Sequence, residues 1–282
     1  MPPFVDATTR ALIELALAED LGPGDLTSAL LPADLKGTAV LVAKSPLVLS
    51  GREVFEAVFS AVDAETEVRF FAEDGDALSP KAEVAEVSGR VRSLLEAERT
   101  ALNFVQRLSG VATFAREASS ALAGTATRVV DTRKTTPGFR VLEKAAVRHG
   151  GASNHRFGLF DGVLIKDNHV DAIGGIGAAI EAVRKTAHHL VRVECEVRTL
   201  EELREALDSR AEVILLDNMD DATLTEAVAI NRGHARPAIL EASGNVTVER
   251  LPRIGATGVD FVSMGALTHS APSADLSLLY RK

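Results

Sequence analysis

The sequence predicts an α/β protein whose second half is a parallel sheet, most simply an α/β barrel, preceded by a smaller α+β domain. Three observations carry this expectation. Short apolar, β-rich runs recur at 128–134, 162–168, 192–197, 212–218, 237–244 and 259–265. Amphipathic or alanine-rich helical segments separate most of them, for example 176–187, 200–209 and 222–230, and strands joined by such crossovers run parallel. Each run begins apolar and ends in reactive side chains: Arg133-Lys134, Lys166-Asp167, Glu196, Asp217, Ser243-Gly244 and Ser263 to Gly265. Periodicity alone leaves a closed barrel and an open doubly wound sheet both standing. An open sheet gathers ligands at one switch point, so reactive groups at six strand ends favour the barrel.

The first half lacks this rhythm. A helix is expected over 7–19, with Leu12, Ile13, Leu15, Ala16 and Leu17 as its apolar surface, and LGPGD stops it. Two short strands flank Ser45-Pro46 within 38–49, a helix follows over 52–62, and strands are expected at 68–71 and 82–88. A long helix then runs from about 91 to 122. On it Leu94, Leu95, Ala101, Leu102, Val105 and Leu108 form one apolar arc, with Glu98 inside and Arg99 at its edge. A carboxylate on a buried face needs a cation, so Glu98 and Arg99 are either a structural bridge or part of a site.

Composition narrows the function classes. The 282 residues carry a formal charge of −9, which disfavours a general nucleic-acid binder. No apolar run is long enough to span a membrane, and the acidic, non-basic N-terminus does not read as a secretory signal. Cys195 is the single cysteine, so no intrachain disulfide is possible and a reducing cytoplasm is the expected location. GGIGAAI (174–180) lacks the third glycine of a dinucleotide fingerprint and reads as the start of a helix.

Against that acidic background, residues 131–170 hold seven Lys/Arg and four Asp/Glu, a local net of +3, together with His149, His155 and His169. A basic island in an acidic protein suits a small, strongly anionic ligand, held by bidentate arginines and point-charge lysines. Arg140, Lys144 and Arg148 share one helical stripe and are equally read as an ordinary solvated face. Arg133, Lys134 and Lys166, at strand ends, point more strongly to a site. Glu196 and Asp217 end adjacent strands, and two close carboxylates imply a cation between them; Mg²⁺ bridging to substrate phosphates fits, with ion pairs to nearby Lys or Arg as the plain alternative. No Cys/His spacing suggests zinc, and His188-His189 reads as a solvated helix end. EASGNVT (241–247) and SMGALTH (263–269) follow the last two strands, where barrels often cradle phosphate on backbone N–H groups.

These blocks also carry a family likeness. EDLGPGDLTS (19–28), ERTALNFVQRLSGVAT (98–113), DTRKTTPGFRVLEKAAVRHGGASNHR (131–156), LIKDNHV (164–170), VECEV (193–197), LLDNM (215–219), LEASGNV (240–246) and GVDFVSMGALTHS (258–270) resemble, in order, the quinolinate phosphoribosyltransferases. The DTRKTTPG and IKDNH blocks are highly specific, and the likeness spans nearly the whole chain. It implies an N-terminal α/β sandwich over 1–110, an incomplete seven-stranded α/β barrel over 111–270, and a tail, 271–282, returning to the sandwich. It implies a homodimer with shared sites, higher assembly being left open. Quinolinate and 5-phosphoribosyl diphosphate would become nicotinate mononucleotide, pyrophosphate and CO₂ in NAD biosynthesis. By the same likeness Thr132, Arg133, Lys134, His155, Arg156 and Lys166 line the quinolinate pocket, and Arg99 arrives from the neighbouring subunit. Glu196 and Asp217 serve the ribose and Mg²⁺, while Ser243, Gly244, Asn245, Met264, Gly265 and Ala266 take the 5′-phosphate. Lys134, Lys166, Glu196 and Asp217 are the expected catalytic set.

Two other readings stand beside this one. A Schiff-base aldolase-type barrel would use Lys166 as nucleophile but leaves the Arg/His cluster and the acids idle. A non-catalytic sensor would bind the acid without releasing CO₂.

Overall fold

A computed structural model describes residues 5–281; residues 1–4 and 282, within the expected sandwich and tail, lie outside them. The chain divides into two compact units that interleave in sequence. One comprises residues to Arg116, Thr135–Gly151 and Leu267 onward; the other comprises Glu117–Lys134 and Ala152–Ala266.

The first unit opens with α1 (Ala7–Leu21), capped by Asp6 accepting the Thr9 N–H at 2.7 Å and ended at Gly22. Then come β1 (Lys36–Ala43), β2 (Leu47–Val48), α2 (Arg52–Val62), β3 (Glu67–Phe70), β4 (Ala77–Leu78), β5 (Glu83–Arg90) and α3 (Val91–Ala121). Of the expected α3 arc, Leu94, Ala101, Leu102, Val105 and Leu108 are buried, but Leu95 is 42% exposed. It lies one position from Leu94, a rotation of about 100° that carries it off the buried stripe.

The second unit takes the last turn of α3 and then β6 (Arg128–Val130), after which α4 (Arg140–His149) belongs again to the first. There follow β7 (Val163–Ile165), α5 (Asp167–Ile173), α6 (Ile176–Thr186), β8 (Val193–Val197), α7 (Leu200–Asp208), β9 (Val213–Asp217), α8 (Asp221–Gly233), β10 (Ile239–Ser243), α9 (Leu251–Thr257) and β11 (Phe261–Ser263). A short α10 (Ala266–His269) leads to β12 (Leu276–Arg281). GGIGAAI is a helix start, Gly175 preceding α6.

In the first unit the sheet order is β12-β1-β5-β3, all antiparallel. β12 pairs with β1 from Thr38↔Arg281 to Ala43↔Leu276, an edge no local pattern announces. Phe55 and Phe59 of α2 are fully buried, with ring centroids 5.1 Å apart, and with Leu41 and Leu49 they form the core. Gly110 on α3 lies so close to the Pro272 carbonyl that a Cβ there would overlap it, so the returning tail requires a glycine.

In the second unit six parallel strands run β6-β11-β10-β9-β8-β7. A parallel bridge, Val130↔Ser153, extends the β6 edge in place of a seventh strand. A flat sheet of six strands would be about 24 Å wide. Yet one cavity of ≈ 590 Å³ is lined by Val130, Val163, Glu194, Val213, Ile239, Glu241 and Phe261, drawn from all six strands. The sheet is therefore curled about a common lumen, an open barrel. Its strands are shorter than the apolar runs suggest: the 128–134 run leaves the ladder after Val130 and the 162–168 run after Ile165. Asp131 turns inward to accept hydrogen bonds, and Lys166 is already the cap of α5.

Candidate active site

Side chains two apart on a strand share a face, and the registers fix which ones meet. Leu164 is opposite Glu194, so Lys166 and Glu196, two residues on, are neighbours as well. Their side chains are paired, Lys166 Nζ lying 2.9 Å from Glu196 Oε2. Glu196 is opposite Leu215, which puts Asp217 on the same face of the next strand, about 8 Å away between Cα atoms. Asp217 is opposite Ser243, and Ser263 is opposite Val130. One row of strand ends thus carries Lys166, Glu196, Asp217, Ser243 and Ser263.

The loops beyond β9 and β10 are locked together. The Asn218 N–H donates to the Ser243 carbonyl at 2.8 Å, and Asn245 Nδ2 donates to Asn218 Oδ1 at 3.1 Å. Asn218 Nδ2 in turn donates to Asp217 Oδ2 at 2.8 Å. Asn218 and Asn245 both have positive φ, 55° and 48°, which asparagine tolerates better than most residues. Gly244 has φ 92°, and a Cβ there would collide with the Asn218 amide. Asn218 was not singled out in the sequence; the paired D-N and G-N steps after two strands were its signal.

The cations stand on the loops after β6 and the Ser153 bridge. Lys134 is fixed through its N–H to Thr132 Oγ1 at 3.0 Å. Arg156 Nη1 donates to the Gly162 carbonyl at 2.8 Å. Burial and the charge of Arg133 both disfavour the Arg156 cation, showing that the two guanidiniums share a neighbourhood. Like charges placed together are the electrostatic mark of a site awaiting an anion.

Beneath them His155, expected in the quinolinate pocket, meets two acids that the strand pattern does not single out, Glu194 and Glu241. His155 Nε2 is 3.1 Å from Glu194 Oε2 and 3.7 Å from Glu241 Oε1. Both acids are buried, and Glu194 Oε1 has no hydrogen-bond partner. Burial, reinforced by the charge of Glu194, pushes Glu241 up to about 7. Burial alone would lower His155, but its bond to Glu194 and the charge of Glu241 outweigh it and the shift is upward. The available signal was VECEV, in which Glu194 and Glu196 share one face of an otherwise apolar strand.

Several expected residues fall elsewhere or do other work. Arg99 is exposed on α3 in the first unit; beside it Glu98 is raised by burial, with Arg99 opposing. The stripe of Arg140, Lys144 and Arg148 is on α4, also in the first unit, and Lys144 is buried, so the solvated-face reading fails for that lysine. His149 faces Ser50 Oγ at 2.9 Å in the first unit, and His169 Nδ1 accepts the Lys166 N–H at 2.9 Å as a helix cap. The Met264 N–H is committed to the Val130 carbonyl at 2.9 Å. Activation of a Schiff-base lysine calls for desolvation or a neighbouring cation; the Lys166 side chain is 49% exposed and faces a carboxylate.

Known proteins place this geometry in context. Residues 25–109 match the N-terminal and 111–279 the C-terminal domain model described as quinolinate phosphoribosyl transferase. The chain is 42% identical over 269 residues to a probable nicotinate-nucleotide pyrophosphorylase [carboxylating] of Bacillus subtilis, covering 95% of this chain and 92% of that protein. Identity to the Synechocystis protein of the same description is 45% over 263 residues, 93% and 89% of the two chains. Among solved structures, the nicotinate-nucleotide pyrophosphorylase of Francisella tularensis superposes with TM-score 0.94 at 38% identity, covering 100% and 99% of the two chains. NadC from Streptococcus pyogenes superposes at 0.93, also at 38% identity and covering 99% of each.

Proposed function

The chain belongs to the quinolinate phosphoribosyltransferase family, and from that premise we propose that the row of strand ends in its barrel unit is the reaction centre. The enzyme transfers phosphoribosyl from 5-phosphoribosyl diphosphate to quinolinate and releases pyrophosphate and CO₂, giving nicotinate mononucleotide. The observation that carries the site assignment is the Lys166–Glu196 contact, where the cationic loops meet the acidic strand ends.

Quinolinate brings two adjacent carboxylates, which Arg133, Lys134, Arg156 and Lys166 hold and neutralise. Its ring nitrogen forms a bond to C1 of the ribose as the bond from C1 to pyrophosphate breaks. Positive charge develops on the ribose in that step, and the carboxylates of Glu196 and Asp217 stabilise it. The pyridinium so formed accepts the electron pair left at C2 when the 2-carboxylate departs as CO₂, and C2 then takes a proton. Positioning and charge balance are the protein's main contributions.

Glu196 and Asp217 offer hard oxygen donors on one face of neighbouring strands, a set that fits Mg²⁺ completed by substrate phosphates. Glu196 and Asp217 would hold the ion, which when bound would supply positive charge to offset that of pyrophosphate. The 5′-phosphate falls to the loops of Ser243–Asn245 and Met264–Ala266. Exposed Arg99, one helical turn from exposed Leu95, suits a homodimer in which Arg99 serves the partner's site. No helix among the described residues is long and apolar enough to cross a membrane, and with a single buried cysteine the cytoplasm is the proposed location.

The test is product formation by purified protein with 5-phosphoribosyl diphosphate and Mg²⁺, quinolinate against nicotinate. Nicotinate mononucleotide and CO₂ from quinolinate alone is expected. Binding without turnover would favour the sensor, and turnover of nicotinate instead would reassign the acid.

A further inference from the structure

The segment that carries Arg156 has no secondary structure to hold it. Ser153 is level with the end of β6, whereas Val163 begins β7, so residues 154–162 must return along the barrel without a helix. His155, Arg156, Phe160, Asp161 and Gly162 accordingly line the same cavity as the strand starts Val213, Ile239 and Phe261. A cation meant to meet a rigid dicarboxylate on such a segment needs support from its surroundings.

That support comes from two buried acids, one just beyond β6 and one on β8. Asp131, fully buried at the end of β6, accepts the His155 N–H at 2.8 Å and Asn154 Nδ2 at 2.6 Å. The Arg156 N–H is taken by His155 Nδ1 at 2.7 Å. Because Nδ1 accepts, the ring proton resides on Nε2, which faces Glu194 Oε2 at 3.1 Å. Both ring nitrogens are thereby engaged, and His155 is a strut between Glu194 on β8 and the Arg156 backbone. The same proton argues against a metal ion in the His155–Glu194–Glu241 cluster, although its ligand atoms lie within 4.8 Å of one another, since a nitrogen bearing hydrogen cannot ligate.

We propose that Glu194 and Asp131 are positioning residues: through His155 and Asn154 they fix the backbone at Arg156, so that its guanidinium is presented to the acid substrate. This rests on the assignment of Arg156 to quinolinate. Both acids act through the residues they hold, and the contact geometry at His155 Nε2, rather than charge, is what Glu194 supplies.

Two conservative variants separate contact from charge. Glu194→Asp keeps the charge but withdraws the carboxylate from Nε2, and KM for quinolinate should rise about tenfold, the scale of one charge-assisted hydrogen bond. KM for 5-phosphoribosyl diphosphate should stay within about twofold in the same variant, since that substrate does not use the strut. Glu194→Gln keeps an acceptor at full length, and its KM for quinolinate should remain within about threefold of wild type, a loss below 1 kcal/mol. Unchanged quinolinate KM in Glu194→Asp, or equal damage in the two variants, overturns the inference. Should Glu194→Asp fail to fold, Asn154→Ala, which removes one donor to Asp131, must raise the quinolinate KM alone; no rise overturns it likewise. Arg156→Ala is run alongside: if it leaves quinolinate KM unchanged, the site reading itself has failed rather than the positioning of Arg156.

Discussion

Asp63 in the antiparallel unit and the Glu194–Glu241 pair in the barrel unit are all buried acids, and they are held in opposite ways. In the antiparallel unit Asp63 is 4% exposed and fully satisfied. Arg90 donates to it through Nε at 2.7 Å and Nη2 at 2.6 Å, Ser93 Oγ at 2.8 Å and the Glu65 N–H at 3.1 Å. The Arg90 hydrogen bonds, above all, hold its carboxyl far below the usual carboxylate range. In the barrel unit Glu194 and Glu241 are comparably buried, but they face each other across one histidine and each keeps an oxygen without a hydrogen bond. Glu241 accordingly rises to about 7. The structural acid is where it is most stable; the lumen acids are kept at a cost, which is the pattern of a working site.

The contrast breaks most visibly in function. Arg156→Ala or Lys134→Ala should lower kcat/KM for quinolinate by on the order of 10²–10³-fold with little change in thermal stability, since charge-assisted contacts to the acid are lost. Steady-state kinetics beside a melting curve checks both halves, and near-normal turnover would refute the assignment.

Asp63→Ala should do the reverse. Arg90 is partly exposed and can rehydrate, so a loss of about 2 kcal/mol is expected at neutral pH, with quinolinate kinetics unchanged. Because the folded pKa is depressed, this stabilisation is complete above the unfolded carboxylate value near 3.9 and fades as pH falls below it. The gap in denaturant midpoint between mutant and wild type should therefore narrow from pH 7 to pH 3 without closing, because the folded carboxylate is still ionised at pH 3.

The smallest effect has the opposite sign. Between the ordinary glutamate value, near 4.3, and about 7, folded Glu241 holds a proton that the unfolded chain has lost, so stability declines as pH rises through that window. Glu241→Gln removes the penalty and should stabilise the protein by on the order of 1–2 kcal/mol at pH 8, and by nothing measurable at pH 4.5. Equal melting shifts at both pH values would show that Glu241 is ionised in the fold across the range.

What could be read from the sequence followed the range of the interactions. Apolar runs announced all six barrel strands, and the polar residues ending them, Lys166, Glu196, Asp217 and Ser243, do share one face. The ends of the runs were over-read where a distant partner captures the chain: Asp131 leaves β6 for Asn154 and His155. α5 went unforeseen because its start depends on His169 capping the Lys166 amide, which apolar periodicity does not register. β12 is legible only through its partner β1, more than 200 residues away. Glu194 was overlooked for a related reason: a strand-interior glutamate declares its role only when His155, on another segment, is seen beside it.

The central claim is that the cations around Arg156 receive both carboxylates of the acid. Calorimetric titration of quinolinate and of nicotinate into wild-type and Arg156→Ala protein tests it most directly. Quinolinate should bind wild type at least about tenfold more tightly than nicotinate, the scale of one extra charge-assisted contact, and the substitution should erase most of that advantage. Equal affinities for the two acids in wild type, or a preference that survives the loss of Arg156, would contradict it.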